Sequence, residues 1–272
     1  MRTAVFVLPV LLSSAVAVRA EGKLPPEYEG LRFTQRLGAQ APLDTEFRDE
    51  TGAVVRLGRY FDGKPVVLVL AYIRCPRLCS VVLRGVADGL RGVPFEAGKD
   101  FRVVVVSFDP REGPELAASA KASYTEHYGR ATGADGWHFL TGKEADIRRL
   151  ADAVGFHYTY DKTRDEYRHA SGIILLTPTG KVARYLFGLA YSGRDLRFGL
   201  VEASEGKIGS AVDGALLFGC FSYDPDTGKY SIAALKLVRL GGAVTVLGIA
   251  VYLLLTWRRE RRKARAAQNP AV

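Results

Sequence analysis

Residues 65–79 read Pro-Val-Val-Leu-Val-Leu-Ala-Tyr-Ile-Arg-Cys-Pro-Arg-Leu-Cys. The first eight form an unbroken apolar run rich in β-branched residues, which predicts a strand buried on both faces. Directly behind it, Cys75-Pro-Arg-Leu-Cys79 leads into Ser80–Leu90, where Val81, Val82, Val86 and Leu90 recur at a broadly helical spacing. Pro76 suits the first turn of that helix, where its missing N–H is no loss. Two cysteines thus sit where a buried strand gives way to a helix.

Working outward, Phe101–Phe108 is a second buried strand, stopped by Asp109-Pro110. Pro114–Tyr128 is Ala-rich and predicts a helix; Trp137–Leu140 is a short apolar piece, and Lys143–Val154 a further helix. Phe156–Tyr160 reads as a short strand, followed by a polar turn at Asp161–Glu166. The strands Gly172–Leu176 and Lys181–Phe187 flank Thr177-Pro-Thr-Gly-Lys181, a hairpin signal, and Asp195–Ala203 closes as a helix. Strand–helix–strand–helix followed by strand–strand–helix is the order of an α/β domain of thioredoxin-like type, a central mixed sheet flanked by helices. Residues 21–50 read as an irregular lead-in, 51–205 as the folded domain and 206–239 as a connector.

Cys75 and Cys79 can project from one face of the first helical turn. At that spacing they could close a disulfide or hold a soft metal as two thiolates, with acidity raised by the helix N-terminus and by Arg74 and Arg77. Three residues separate them, one more than in a thioredoxin-type redox motif, and no second Cys/His pair supplies the four ligands of structural zinc. Two thiolates and one imidazole would suit Cu(I). Of the four histidines, His127 falls in a helix and His138 beside Trp137, both surface or packing positions. His157 and His169 flank the polar turn, and chemistry alone does not separate them. Asp109 ends the second strand, where it reads as a turn residue that initiates a helix, or as a hydrogen-bonding group near the site. Cys220, the third cysteine, reads as an inert free thiol, with an added ligand or an intermolecular disulfide as alternatives.

The stretches Tyr72-Ile-Arg-Cys-Pro-Arg-Leu-Cys79, Ser107-Phe-Asp-Pro110, Gly155-Phe-His-Tyr158 and Tyr167-Arg-His-Ala-Ser171 resemble the Sco/SenC family, thioredoxin-like copper chaperones of respiratory cytochrome oxidase assembly. The resemblance spans about Pro65 to Glu205. It implies a copper site made of Cys75, Cys79 and His169, and a copper-bearing subunit of a haem–copper oxidase as partner. Arg77 stands where many members have an acidic or amide residue, and Ser80 where many have proline. The anchor is C-terminal rather than N-terminal, as in a bacterial branch.

Both ends of the chain bear on location. Residues 1–20 carry Arg2, an apolar run from Ala4 to Val18 and small residues near Ala20, the pattern of a secretory signal peptide. Leu240–Trp257 is uncharged for eighteen residues, enough to cross a hydrocarbon core roughly 30 Å thick at 1.5 Å per residue. Six basic residues follow within 258–265, against Lys236 and Arg239 before it, so the tail 258–272 is expected in the cytoplasm and the domain outside. Setting aside those six, the one acid among them, Arg2 and Arg19 leaves 30 basic against 28 acidic residues, so the net charge of +9 gives no support for nucleic-acid binding. The expectation is a single-pass inner-membrane copper chaperone, with a thiol–disulfide oxidoreductase using Cys75 and Cys79 as the alternative. A peroxidase-like enzyme is disfavoured by the close cysteine pair.

Overall fold

The computed structural model describes residues 33–75, 78–209, 221–224, 229–232 and 234–268; the signal segment 1–20, Pro76, Arg77 and Cys220 lie outside the described residues. The central sheet is built from β3 (Val66–Ala71), β4 (Arg102–Ser107), β5 (Trp137–Leu140), β8 (Gly172–Leu176) and β9 (Val182–Phe187), in the order β5-β4-β3-β8-β9. β3, β4 and β5 run parallel, Val66 facing Arg102 and Ala71 facing Ser107. β8 pairs antiparallel with β3, and β9 antiparallel with β8. β3 is therefore the middle strand, and all six of its residues are buried. That position explains its continuous apolar run: there is no solvent face on which to alternate.

The helices are α1 (Leu78–Arg91), α2 (Pro114–Tyr128), the single turn α3 (Gly133–Gly136), α4 (Glu144–Ala153), α5 (Gly193–Ser204) and α6 (Ala234–Gln268). The bounds of α2 are chemical. Pro114 opens it with a preset φ, and Gly129, at φ +68, ends it in the left-handed region while donating its N–H to the Thr125 carbonyl. On α1 the buried face is Cys79, Val82, Leu83, Val86, Ala87 and Leu90, a stripe at helical spacing. Val81, one of the four apolar residues that mark the helical spacing in the sequence, lies off this stripe and is 44% exposed. The stripe places Cys79 inward, at the top of the packed face. α1 lies close against the loop after β9: a Cβ on Gly85 would meet the Leu189 carbonyl oxygen at 2.0 Å, and one on Gly89 the Tyr191 carbonyl oxygen at 2.5 Å.

Two further hairpins were not legible beforehand. β1 (Glu46–Arg48) pairs antiparallel with β2 (Val54–Arg56), so the folded unit reaches into the stretch read as an irregular lead-in. β6 (Tyr158–Asp161) pairs antiparallel with β7 (Glu166–His169), Tyr158 facing His169. What reads as a polar turn is thus narrower, with Asp165 at φ 51, and His169 is the last residue of a strand. β10 (Phe221–Asp224) and β11 (Lys229–Ile232) form a third hairpin in the connector. In α6, Gly241–Arg261 has a mean hydropathy of 1.5 and none of it is buried, long and apolar enough to cross a membrane by length and composition.

Candidate metal centre

β3 delivers its C-terminal end to a tight turn in which the Cys75 N–H donates to the Tyr72 carbonyl at 3.3 Å. Cys75 is half-buried at this turn; Cys79, one residue into α1, is 1% exposed. Both are free thiols. β7 brings His169 to the same place, ninety residues along the chain. Its Nε2 lies 3.3 Å from Cys79 Sγ. The other ring nitrogen, Nδ1, is 2.9 Å from the Ala170 carbonyl. A carbonyl can only accept, so Nδ1 carries the hydrogen and the lone pair of Nε2 faces the thiol. This backbone-fixed tautomer is the arrangement found behind metal-ligating histidines.

The imidazole is walled by Phe108 at 5.1 Å, Phe156 at 5.8 Å and Tyr72 at 6.4 Å between ring centres. Burial among these rings lowers the His169 pKa, against the opposing pulls of the Ala170 carbonyl and of Cys75, which favours the neutral, ligand-competent ring. The Cys79 thiol is pushed well up, first by its hydrogen-bonding contact with Cys75 and then by burial. For Cys79 that runs against the sequence expectation of an acidified thiol.

Other sequence-predicted residues are placed elsewhere. His157 Nε2 is engaged instead by Thr34, 2.8 Å from its Oγ1. His127 pairs with Asp88 at 2.9 Å on the surface, and His138 stacks on Tyr60 at 4.4 Å. Asp109 does not initiate a helix, since α2 begins at Pro114 behind Gly113, but it bonds within its turn and to the histidine-bearing hairpin. Its carboxylate accepts from the Arg111 backbone N–H, a turn contact, and Tyr167 of the histidine-bearing hairpin donates its hydroxyl to it at 3.4 Å. Burial would raise its pKa, but Arg111 holds it below the usual carboxylate range. Glu112 has no counterpart in the sequence reading. It is buried, and its carboxylate accepts the N–H groups of Ile73 at 2.8 Å and Arg74 at 2.7 Å, plus the Ser107 hydroxyl at 2.5 Å. No local pattern around Glu112 announces this, because its partners are contributed by a different loop.

Among the described residues, no three or more His, Cys, Asp or Glu side chains are gathered into a finished metal cage. The donors nevertheless fit a soft ion: one sulfur and one imidazole nitrogen already in contact, a second sulfur on the adjoining turn, and aromatic rings around the imidazole.

The family model described as SCO1/SenC matches residues 38–194, more than half of the sequence. The chain belongs to the SCO1/SenC family. The match of this SCO1/SenC member to solved structures is one of fold. A putative electron transfer protein from Aquifex aeolicus VF5 is 22% identical, with 63% of this chain and 96% of that chain covered and a TM-score of 0.56. BsSco, described as a Sco-family cytochrome c oxidase assembly protein with a disulfide switch, is 21% identical, covering 64% and 98%, with a TM-score of 0.50. Copper-bound ScoI of Bradyrhizobium japonicum is 20% identical, covering 62% and 99%, with a TM-score of 0.47. No curated protein matches the chain.

Proposed function

We propose that the protein is a membrane-anchored carrier that takes up copper outside the cytoplasm through Cys75, Cys79 and His169 and hands it on during assembly of a respiratory cytochrome oxidase. The observation that carries this reading is the contact between Cys79 Sγ and His169 Nε2, with Nδ1 tied to a backbone carbonyl. Membership of the SCO1/SenC family supports it, and so does the donor set: two thiolates and an imidazole bind Cu(I) in a low coordination number that permits ligand exchange. Copper here is cargo. The acceptor we propose is the copper-bearing subunit of a haem–copper oxidase, whose own thiolates can displace Cys75, Cys79 and His169 one at a time.

The same reading places the protein in the inner membrane as a single pass through α6, with the residues after Trp257 in the cytoplasm. Its support is the apolar Gly241–Arg261 segment and the basic run after it, where the Arg261 guanidinium lies 3.5 Å over the Trp257 ring. A C-terminal fusion to a reporter that fluoresces only in the cytoplasm should be bright, and a dark fusion would overturn the orientation.

The test of the site uses the full chain in detergent, reduced and titrated with Cu(I). Wild type should take one equivalent. Cys75→Ala, Cys79→Ala and His169→Ala should each weaken binding by at least tenfold. One copper held equally well without His169 would sink the site as drawn. The alternative, a thiol–disulfide oxidoreductase, predicts the opposite pattern: disulfide exchange with a partner peptide lost in both cysteine variants and copper uptake negligible in wild type.

A further inference from the structure

The two segments that bring the proposed ligands together do not pair with each other in any sheet. Cys75 follows the end of β3, and His169 ends a hairpin outside the central sheet. Between them lies the loop Asp109–Gly113, which joins β4 to α2. From this one loop, two neighbouring side chains reach in opposite directions. Glu112 takes the main-chain N–H groups of Ile73 and Arg74, one on each carboxylate oxygen, and so grips the turn immediately before Cys75. Arg111 reaches the histidine hairpin. Its Nη1 donates to Asp165 at 2.8 Å and to the Tyr160 hydroxyl at 3.4 Å, and its guanidinium carbon sits 5.2 Å from the Tyr160 ring centre and 5.9 Å from that of Tyr167.

Each arm is anchored. Ser107 at the end of β4 donates to Glu112. Asp109, with its side chain only 3% exposed, holds Arg111 through contacts of 2.9 Å and 3.1 Å from Nε and 2.7 Å from Nη2. The guanidinium is thereby fixed by one carboxylate before it meets the hairpin, as a planar fork can be and an ammonium cannot. Tyr160 also donates to Asp165, closing the contact on the hairpin side.

We infer that Asp109, Arg111 and Glu112 form a yoke that sets the separation between the thiol-bearing turn and the imidazole-bearing hairpin, with Arg111 and Glu112 as positioning residues for the copper site. This rests on the proposed ligand trio, but the yoke has its own readout. Outer partners that orient metal ligands typically change affinity by about 10- to 100-fold when removed.

The experiment uses the full chain in detergent, reduced and metal-free for amide exchange, then titrated with Cu(I). Glu112→Ala should speed exchange at Ile73 and Arg74 by roughly tenfold, the loss expected for charge-assisted bonds to main-chain N–H groups, and leave the β6–β7 hairpin unchanged. Arg111→Ala should do the reverse, speeding exchange across the hairpin, and Arg111→Gln serves if loss of the partner of buried Asp109 prevents the alanine variant from folding. Both alanine variants should weaken Cu(I) binding by about tenfold. Glu112→Gln, which keeps one carbonyl acceptor, should restore one of the two amides and part of the affinity; it also serves if Glu112→Ala does not fold. Arg111→Lys should not rescue. Unchanged exchange in the gripped segments, or changed exchange with copper affinity within twofold of wild type, would overturn the yoke. If wild type takes up no copper, the ligand trio falls, and so does the yoke's role at a metal. The exchange arms would then still show whether the loop holds both segments.

Discussion

Gly85 offers a direct test of how α1 is seated. In an ordinary helix interior Gly→Ala stabilises by about 1 kcal/mol, because alanine loses less backbone entropy on folding. Here the added methyl carbon would lie 2.0 Å from the Leu189 carbonyl oxygen and 3.1 Å from its carbon, both main-chain atoms that no side-chain rotation can clear. Bringing the oxygen contact out to 3.0 Å, the closest approach real Cβ atoms show, requires α1 and the loop to separate by about an ångström. Overpacking of this kind costs typically about 1–3 kcal/mol, and an obstacle of backbone belongs at the upper end. The clash therefore wins, by about 2 kcal/mol, which for a domain of this size corresponds to a fall of roughly 4–8 °C in Tm. The displacement also reaches the site, since Cys79 rides on the same helix and its 3.3 Å contact with His169 has no slack. Thermal unfolding of the full chain followed by circular dichroism measures the first effect, and Cu(I) competition the second. Arg84→Ala, on the exposed side of the same helix, controls for propensity and should move stability by no more than about 0.5 kcal/mol. A Gly85→Ala protein that melts at or above the wild-type temperature would refute the close backbone packing.

The other expectations concern charge and ligand identity. Burial lowers the His138 pKa from 6.5 to about 4, so on acidification the unfolded chain takes up its proton first. Stability is therefore full above pH 6.5 and declines as the pH falls toward 4, by up to about 3 kcal/mol, and His138→Gln should flatten urea-unfolding free energies across that window. Asp62 is depressed from 3.8 to about 2, chiefly by its bond from Arg102. Its contribution is present above pH 3.8 and lost as pH falls through 2; at a partly exposed site it is about 0.2–1 kcal/mol, which Asp62→Asn should remove at pH 7 but not in strong acid. His157→Ala should leave Cu(I) uptake intact, since Thr34 occupies its Nε2, whereas His169→Ala should abolish tight binding; equal losses would contradict the placement of the two rings. Because the Cys79 thiol is pushed up, Cu(I) loading should release protons and weaken as pH falls, measurable as acidification in an unbuffered titration.

What could be read beforehand follows from how local each signal is. β3 and β4 announce themselves because a strand covered on both faces is apolar at every position, and α2 because Pro114 and Gly129 mark its ends in the backbone itself. β1, β2 and β7 are three or four residues of mixed polarity whose extended form is imposed by pairing, and no window over Glu166–His169 separates strand from turn. The cysteine spacing was visible; the chemistry of the residues left His157 and His169 open, and only the family resemblance singled out His169. His157 and His169 have similar polar surroundings in sequence, and residues far along the chain decide between them: Thr34 meets one ring and Cys79 the other. Glu112 lay beyond any sequence reading for the same reason. Its role exists only once the loop after β4 meets the turn after β3.

The separation of ninety positions between Cys79 and His169 has a further meaning for how the proposed site would be assembled. The two sulfurs are neighbours in sequence, whereas the nitrogen reaches them only through the placement of the β6–β7 hairpin beside the central sheet. On the proposed reading, a molecule whose hairpin had not docked would hold an ion only loosely, by its thiols. Tight retention of cargo would then double as a certificate of maturity, issued once the last distant piece of the protein has come home.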